Sequence, residues 1–299
     1  MRGFSRWAAR EQQVGDWLPY ARMLDHNTIE ARNGALLQVV QLRSFAFETA
    51  DADDINHRQD LREAMLRALA NSRLVLHHHI IRRQIDPPQN GEFTDPICGE
   101  LERRWNNRLS GQPLFVNDQF LTLERRPAKG KAGLADTLMG AIGRGLGDKS
   151  GDLLRDRAEL DAARDALLSA LAAHAPRLLG RYDLDAGVCA EPLEFLSAIL
   201  NGEMRPVMEP AGDIGRYLPY RRVSFGLDAL ELSGPSARSY GAILSLKEYP
   251  AQTSPSLLDG LLRLPFEMVV SESFAFVERQ SALERIGLAV RRMRAADED

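Results

Sequence analysis

Leu74-Val-Leu-His-His-His-Ile-Ile-Arg-Arg83 is an apolar run with three histidines at its centre. It stops shortly before Pro87-Pro88, which cannot continue a ladder, so it reads as one long β-strand. Side chains alternate along a strand. His77 and His79 therefore share one face, about 6.8 Å apart along the chain, and His78 takes the other. The segments on either side decide what that strand belongs to.

Upstream, Thr28 to Leu42 forms a hairpin about Asn33-Gly34, the dipeptide that suits a type I′ turn because both central residues need positive φ. A helix follows from Asp53 or Asp54 to about Asn71, with Leu61, Met65 and Leu69 on one stripe. After the histidine strand come a helix from Pro96 to Leu109 and a strand from Leu114 to Glu124. Residues 215–283 repeat the same order. Arg222 to Leu232 and Tyr240 to Tyr249 make a hairpin about Gly234-Pro235-Ser236. A helix runs from Thr253 or Ser254 to Leu264, and a strand from Phe266 to Val277. A terminal helix, Arg279 to Ala296, closes the chain. The expected fold is α+β, with two related halves, each a mainly antiparallel sheet covered by helices, and a long helix between them.

The divisions expected are 1–23, a leader carrying Trp7 and Trp17; 24–127, the first α+β half; 128–151, a glycine-rich insertion; and 152–299, the linking helix and second half. The insertion holds Gly130, Gly133, Gly140, Gly143, Gly145, Gly147 and Gly151. Each glycine costs a helix roughly 1 kcal/mol against alanine, so the segment reads as a flexible insertion or a weak amphipathic helix that orders on a surface. The linking helix, Asp152 to Leu179, carries Leu153, Leu160, Leu167, Leu171 and Leu178 on one face.

With 299 residues, 44% of them hydrophobic, the chain can bury a full core. A net charge of −4 argues against a dedicated nucleic-acid binder, which would carry a basic surplus. Cys98 and Cys189 make no disulfide framework and fit a reduced compartment. No run approaches the roughly 18 apolar residues that span a bilayer, and Met1 to Arg10 lacks the apolar core of a signal peptide.

Two constellations invite chemistry. His77 and His79 could share a zinc ion, but a closed site needs a third or fourth ligand, and His26, His57 and Cys98 show no ligand spacing. Gly143-Arg-Gly-Leu-Gly-Asp-Lys-Ser150 imitates a phosphate loop, yet Asp148 stands at the second glycine of G-x-x-x-x-G-K-[ST]. A carboxylate there would face the phosphates it should cradle. Arginine pairs at 82–83, 103–104, 125–126 and 291–292 are accompanied by acidic residues and read as solvated or salt-bridged faces. No catalytic, cofactor-binding or metal-binding residue is assigned.

The wording of these segments resembles the N-terminal region of the CagE/TrbE/VirB family of type IV secretion and conjugation ATPases. The phrases that carry the resemblance are Leu24-Asp-His-Asn-Thr-Ile-Glu-Ala-Arg-Asn-Gly-Ala-Leu-Leu37, the histidine strand, and Leu114-Phe-Val-Asn-Asp-Gln-Phe-Leu-Thr-Leu-Glu-Arg-Arg-Pro127. Later come Phe195-Leu-Ser-Ala-Ile-Leu-Asn-Gly202, Lys247-Glu-Tyr-Pro-Ala-Gln-Thr253 and Ser273-Phe-Ala-Phe276. Trp105 stands where the family commonly has tyrosine. The resemblance implies a cytoplasmic protein, peripheral on the bacterial inner membrane, that docks onto other secretion subunits and onto copies of itself, with a membrane surface as a further partner; the net charge of −4 leaves no direct nucleic-acid binding expected. ATP and Mg²⁺ are implied for the full-length family, whose phosphate loop lies beyond residue 299. The alternative is a stand-alone nucleotide- or zinc-binding enzyme using residues 143–150 or the histidine strand.

Overall fold

The computed structural model describes residues 11–44, 50–86, 91, 93–109, 113–127, 146–235, 238–246, 252 and 259–297. The α+β expectation holds, with mainly antiparallel sheets. Its centre is a seven-stranded sheet built from β1 (Tyr20–Met23), β2 (Thr28–Ala31), β3 (Leu36–Leu42), β4 (Leu74–Ile85), β5 (Leu114–Arg125), β6 (Arg177–Leu178) and β12 (Met268–Ala275). The order is β1-β2-β3-β5-β4-β12, and β6 also pairs with β3. Every pairing in it is antiparallel. β7 (Arg181–Leu184) and β8 (Gly187–Ala190) form a separate ribbon, and β9 (Arg222–Phe225), β10 (Leu230–Ser233) and β11 (Arg238–Gly241) a three-stranded meander.

The sheets do not follow the sequence halves one for one. By element order β12 is the counterpart of β4, and the two pair with each other, Met268 opposite Arg82 through Ala275 opposite Val75. The histidine strand thus lies between β5 and β12 rather than at an edge.

Period-two alternation gives the sheet two apolar faces, and helices cover both rather than one. Val39, Ile81 and Phe120 face α4 (Glu191–Asn201), which buries Leu193, Phe195, Leu196 and Ala198 against them. That helix starts with Pro192 in its first turn and ends where Gly202, at φ 71°, takes a left-handed conformation that glycine adopts without penalty. Leu36, Val40, Leu74, Leu76, Leu121 and Leu123 face α1 (Ala52–Ala68) and α3 (Leu146–Ala170). Leu160 and Leu167 of α3 are fully buried there, each worth about 1.5–3 kcal/mol of burial.

Polar groups fix α3 in place. Arg125 of β5 is 1% exposed and reaches Asp156 at 3.2 Å and Glu159. Arg73 meets Asp156 at 2.6 Å, and Gln38 Nε2 donates to Asp161 Oδ1 at 2.8 Å.

Local details depart from the sequence reading. The Asn33-Gly34 turn forms, but only Gly34 has positive φ (81°), so it is not type I′; Asn33 Oδ1 instead accepts from the Ala35 amide. α1 starts earlier, with Asp51 rather than Asp53 or Asp54 at its N-cap. The linking helix ends at Ala170, short of Leu179, because Ala175 turns left-handed at φ 42° and Leu178 enters β6. The stretch 222–232 breaks into β9 and β10.

Candidate functional site

His77 and His79 do share a face, with ring centroids 6.3 Å apart, and His78 lies on the other side of the sheet. Their partners come from both neighbouring strands. His77 Nε2 is 3.0 Å from Glu124 Oε2 on β5, and its Nδ1 is 3.1 Å from Ser273 Oγ on β12. His79 Nδ1 is 2.8 Å from Ser271 Oγ, and His78 Nδ1 is 3.5 Å from Glu272. Burial, with the neighbouring His77 and His78 adding to it, lowers the pKa of His79 to about 4 and keeps its ring neutral. The bond from His77 holds the Glu124 carboxyl below its ordinary value, with Arg126 assisting.

The other ligands considered for zinc do not join this cluster. His26 packs against Gly180, His57 lies on α1, and Cys98 is exposed on α2 (Pro96–Leu109). Among the described residues no group of three or more His, Cys, Asp or Glu side chains is placed to hold a metal ion. Of the imitation phosphate loop, Gly143 to Gly145 lie outside the described residues, as does most of the 128–151 insertion. Leu146 to Ser150 form the first turns of α3.

Between the histidine face and α4 there is a cavity of about 280 Å³. Its walls are apolar, from Leu37, Val39, Leu196, Ile199 and Leu200, and its polar lining comes from Tyr20, Asn33, His77, His79, Thr122 and Glu124. The Phe195 ring lines it too, edge-on to His79 at 5.3 Å. Thr122 Oγ1 is buried without a hydrogen-bond partner. Sequence reading missed this cavity because it is made by strands and a helix distant in the chain.

A second feature was open to sequence reading and was not drawn from it. α2 has no buried residue along its 14 positions. Ile97, Leu101 and Trp105, four residues apart and so on one helical face, are 77%, 68% and 60% exposed. Phe225, Leu227 and Tyr240 of the meander, with Ile243 and Leu244 just beyond it, are also exposed, as are Leu283, Ile286 and Val290 of the helix Arg279–Asp297. Apolar side chains grouped in this way mark interaction surfaces. The arginine pairs, by contrast, largely meet acids within the chain: Arg103 and Arg104 bind Glu100, Arg126 binds Glu124, and Arg83 binds Asp118. No helix among the described residues is long and apolar enough to cross a membrane.

Residues 27–132 match the model for the type IV secretion system ATPase VirB4/TrbE, N-terminal domain. Residues 177–299 match that for the CagE, TrbE, VirB family, component of type IV transporter system. Type IV secretion system protein virB4 of Bartonella henselae is 27% identical over 91% of this chain and 35% of its own length. PtlC of Bordetella pertussis is 28% identical over 94% of the chain and 34% of its own. For virB4 of Brucella suis the figures are 24%, 92% and 34%. The chain therefore spans about a third of the length of these relatives. The two family matches flank the 133–176 stretch and together take in the histidine strand, the exposed helix and the cavity lining apart from Pro19 and Tyr20; the chain belongs to the CagE/TrbE/VirB family of type IV secretion components and corresponds to its N-terminal region.

Proposed function

We propose that this chain is the docking and oligomerisation region of a type IV secretion or conjugal transfer ATPase, joining it to inner-membrane components of the apparatus on their cytoplasmic side. The observation that carries the reading is α2. Its Ile97, Leu101 and Trp105 stripe lies open on a helix with no buried residue, and a helix of that kind gains most by laying the stripe into a partner's groove. The family match supplies the class of partner, since a component of a type IV transporter works among other subunits. ATP and Mg²⁺ are handled, on this reading, in the two-thirds of the relatives' length that this chain does not span.

The test is co-purification. The chain is co-expressed with the inner-membrane subunits of its apparatus and recovered through a tag on one of them. The unaltered chain is expected to be retained and Leu101→Asp to be lost, and the isolated chain is expected to hydrolyse no ATP. Equal retention of both forms, or ATP turnover by the chain alone, contradicts the proposal.

A further inference from the structure

We infer that the β9–β10–β11 meander is the seat of the chain's own leader, with Phe4 and Trp7 of residues 1–10 laid on its apolar face. This goes beyond the docking reading above and does not depend on it: the meander is a face the chain covers for itself, whereas the α2 stripe stays open.

The meander is a sheet without a core. Val223 stands opposite Leu232 and Phe225 opposite Leu230, and side chains alternate along each strand, so these four share one face. No residue of the three strands is buried, and Phe225 is 78% exposed. A sheet with an apolar face is stabilised by burying that face against another element.

The leader starts at the edge of this sheet. Glu11, the first described residue, is paired with Arg222, the first residue of β9, and β9 is an outer strand of the meander. The stretch behind Glu11 is clamped in place. Gly15 lies so close to the backbone of Arg216 that a Cβ there would stand 2.7 Å from the Arg216 Cα, and Asp16 meets the Arg216 side chain at 3.2 Å. Trp7 and Phe4 lie four and seven residues before Glu11, a reach of up to about 14 and 24 Å. Three paired strands are only ~10 Å across and a four-residue strand ~13 Å long, so both rings can reach the face.

Charge favours the same occupant. Residues 1–10 hold Arg2, Arg6 and Arg10 and no acidic residue. In the meander Arg222 is taken by Glu11 and Arg238 by Glu231, which leaves Asp228, exposed in the β9–β10 turn, without a basic partner among the described residues. A basic leader supplies that partner. A second copy of the meander, whose own arginines are already paired, does not.

The test places a photo-reactive residue at position 7 of the full-length protein, in a mixture of ¹⁴N and ¹⁵N chains. Cross-linked peptides joining position 7 to residues 222–241 within one isotope are expected, and Phe225→Ser, at an exposed position, should reduce them severalfold. Mixed-isotope peptides assign the face to a second copy and overturn the proposal, as do cross-links that lie only elsewhere or only on another secretion subunit. Hydrogen exchange gives an independent reading. Phe4→Ser combined with Trp7→Ser is expected to speed exchange in residues 222–241 by about tenfold, as a covered segment becomes free to open, while Met268–Ala275 in the main sheet keeps its protection. Unchanged exchange in 222–241, or equal acceleration in both segments, overturns the seat.

Discussion

Nδ1 of His79 lies 2.8 Å from Oγ of Ser271, 192 residues further along the chain. That contact belongs to the β4–β12 ladder, through which a strand near the end of the chain completes the sheet begun near its start. It also makes stability depend on pH. His79 has a folded pKa of about 4 against an ordinary 6.5, so below pH 6.5 the unfolded chain binds a proton that the folded one refuses. Stability present above pH 6.5 is therefore lost progressively down to about pH 4. Glu124, with its lowered pKa, adds loss in the same direction below its ordinary 4.5. Thermal melts between pH 7 and 4.5 should show a falling midpoint, and His79→Gln should flatten that slope. An unchanged slope in the variant would remove His79 as its source.

Arg125 is the most deeply buried charge among the described residues, paired with Asp156 and Glu159 beneath α3. Removing one partner of a buried pair typically costs about 3–5 kcal/mol because the other charges stay behind. Arg73 still neutralises Asp156 here, which places Arg125→Ala near the lower end of that range. Urea unfolding measures it, and a loss below ~1 kcal/mol would show that α3 does not depend on this network.

Leucines at the two ends of the burial scale should behave oppositely. Leu160→Ala or Leu167→Ala, at fully buried positions of α3, should cost about 2–5 kcal/mol. Leu101→Ala, on a residue 68% exposed, should stay within about 0.5 kcal/mol. Comparable losses at both positions would mean that α2 is covered within the chain itself.

What the sequence made legible was local. The alternation that separates His78 from His77 and His79, the helix Pro96–Leu109 and the position of the Asn33-Gly34 turn all rest on periodicity or turn chemistry within a few residues. The pairing of β12 with β4 was not legible, because nothing in Met268–Ala275 names a partner nearly 200 residues away. The true end of the linking helix was missed for a related reason. Leu178 continues the heptad-like leucine spacing, but it packs from β6 after Ala175 reverses the chain. Thr122 was silent for the same cause, since an orphaned hydroxyl exists only once the strands around it are assembled. The apolar stripe of α2 could have been read from its four-residue spacing alone.

The central claim is that this chain docks through the open face of α2. Its most direct test is a photo-cross-linking amino acid placed at position 105 in the full-length protein within the assembled apparatus. A cross-link from position 105 to another secretion subunit or a second copy, lost on adding Leu101→Asp, is the predicted result. A position 105 that reacts only with solvent, or only within its own chain, would contradict it.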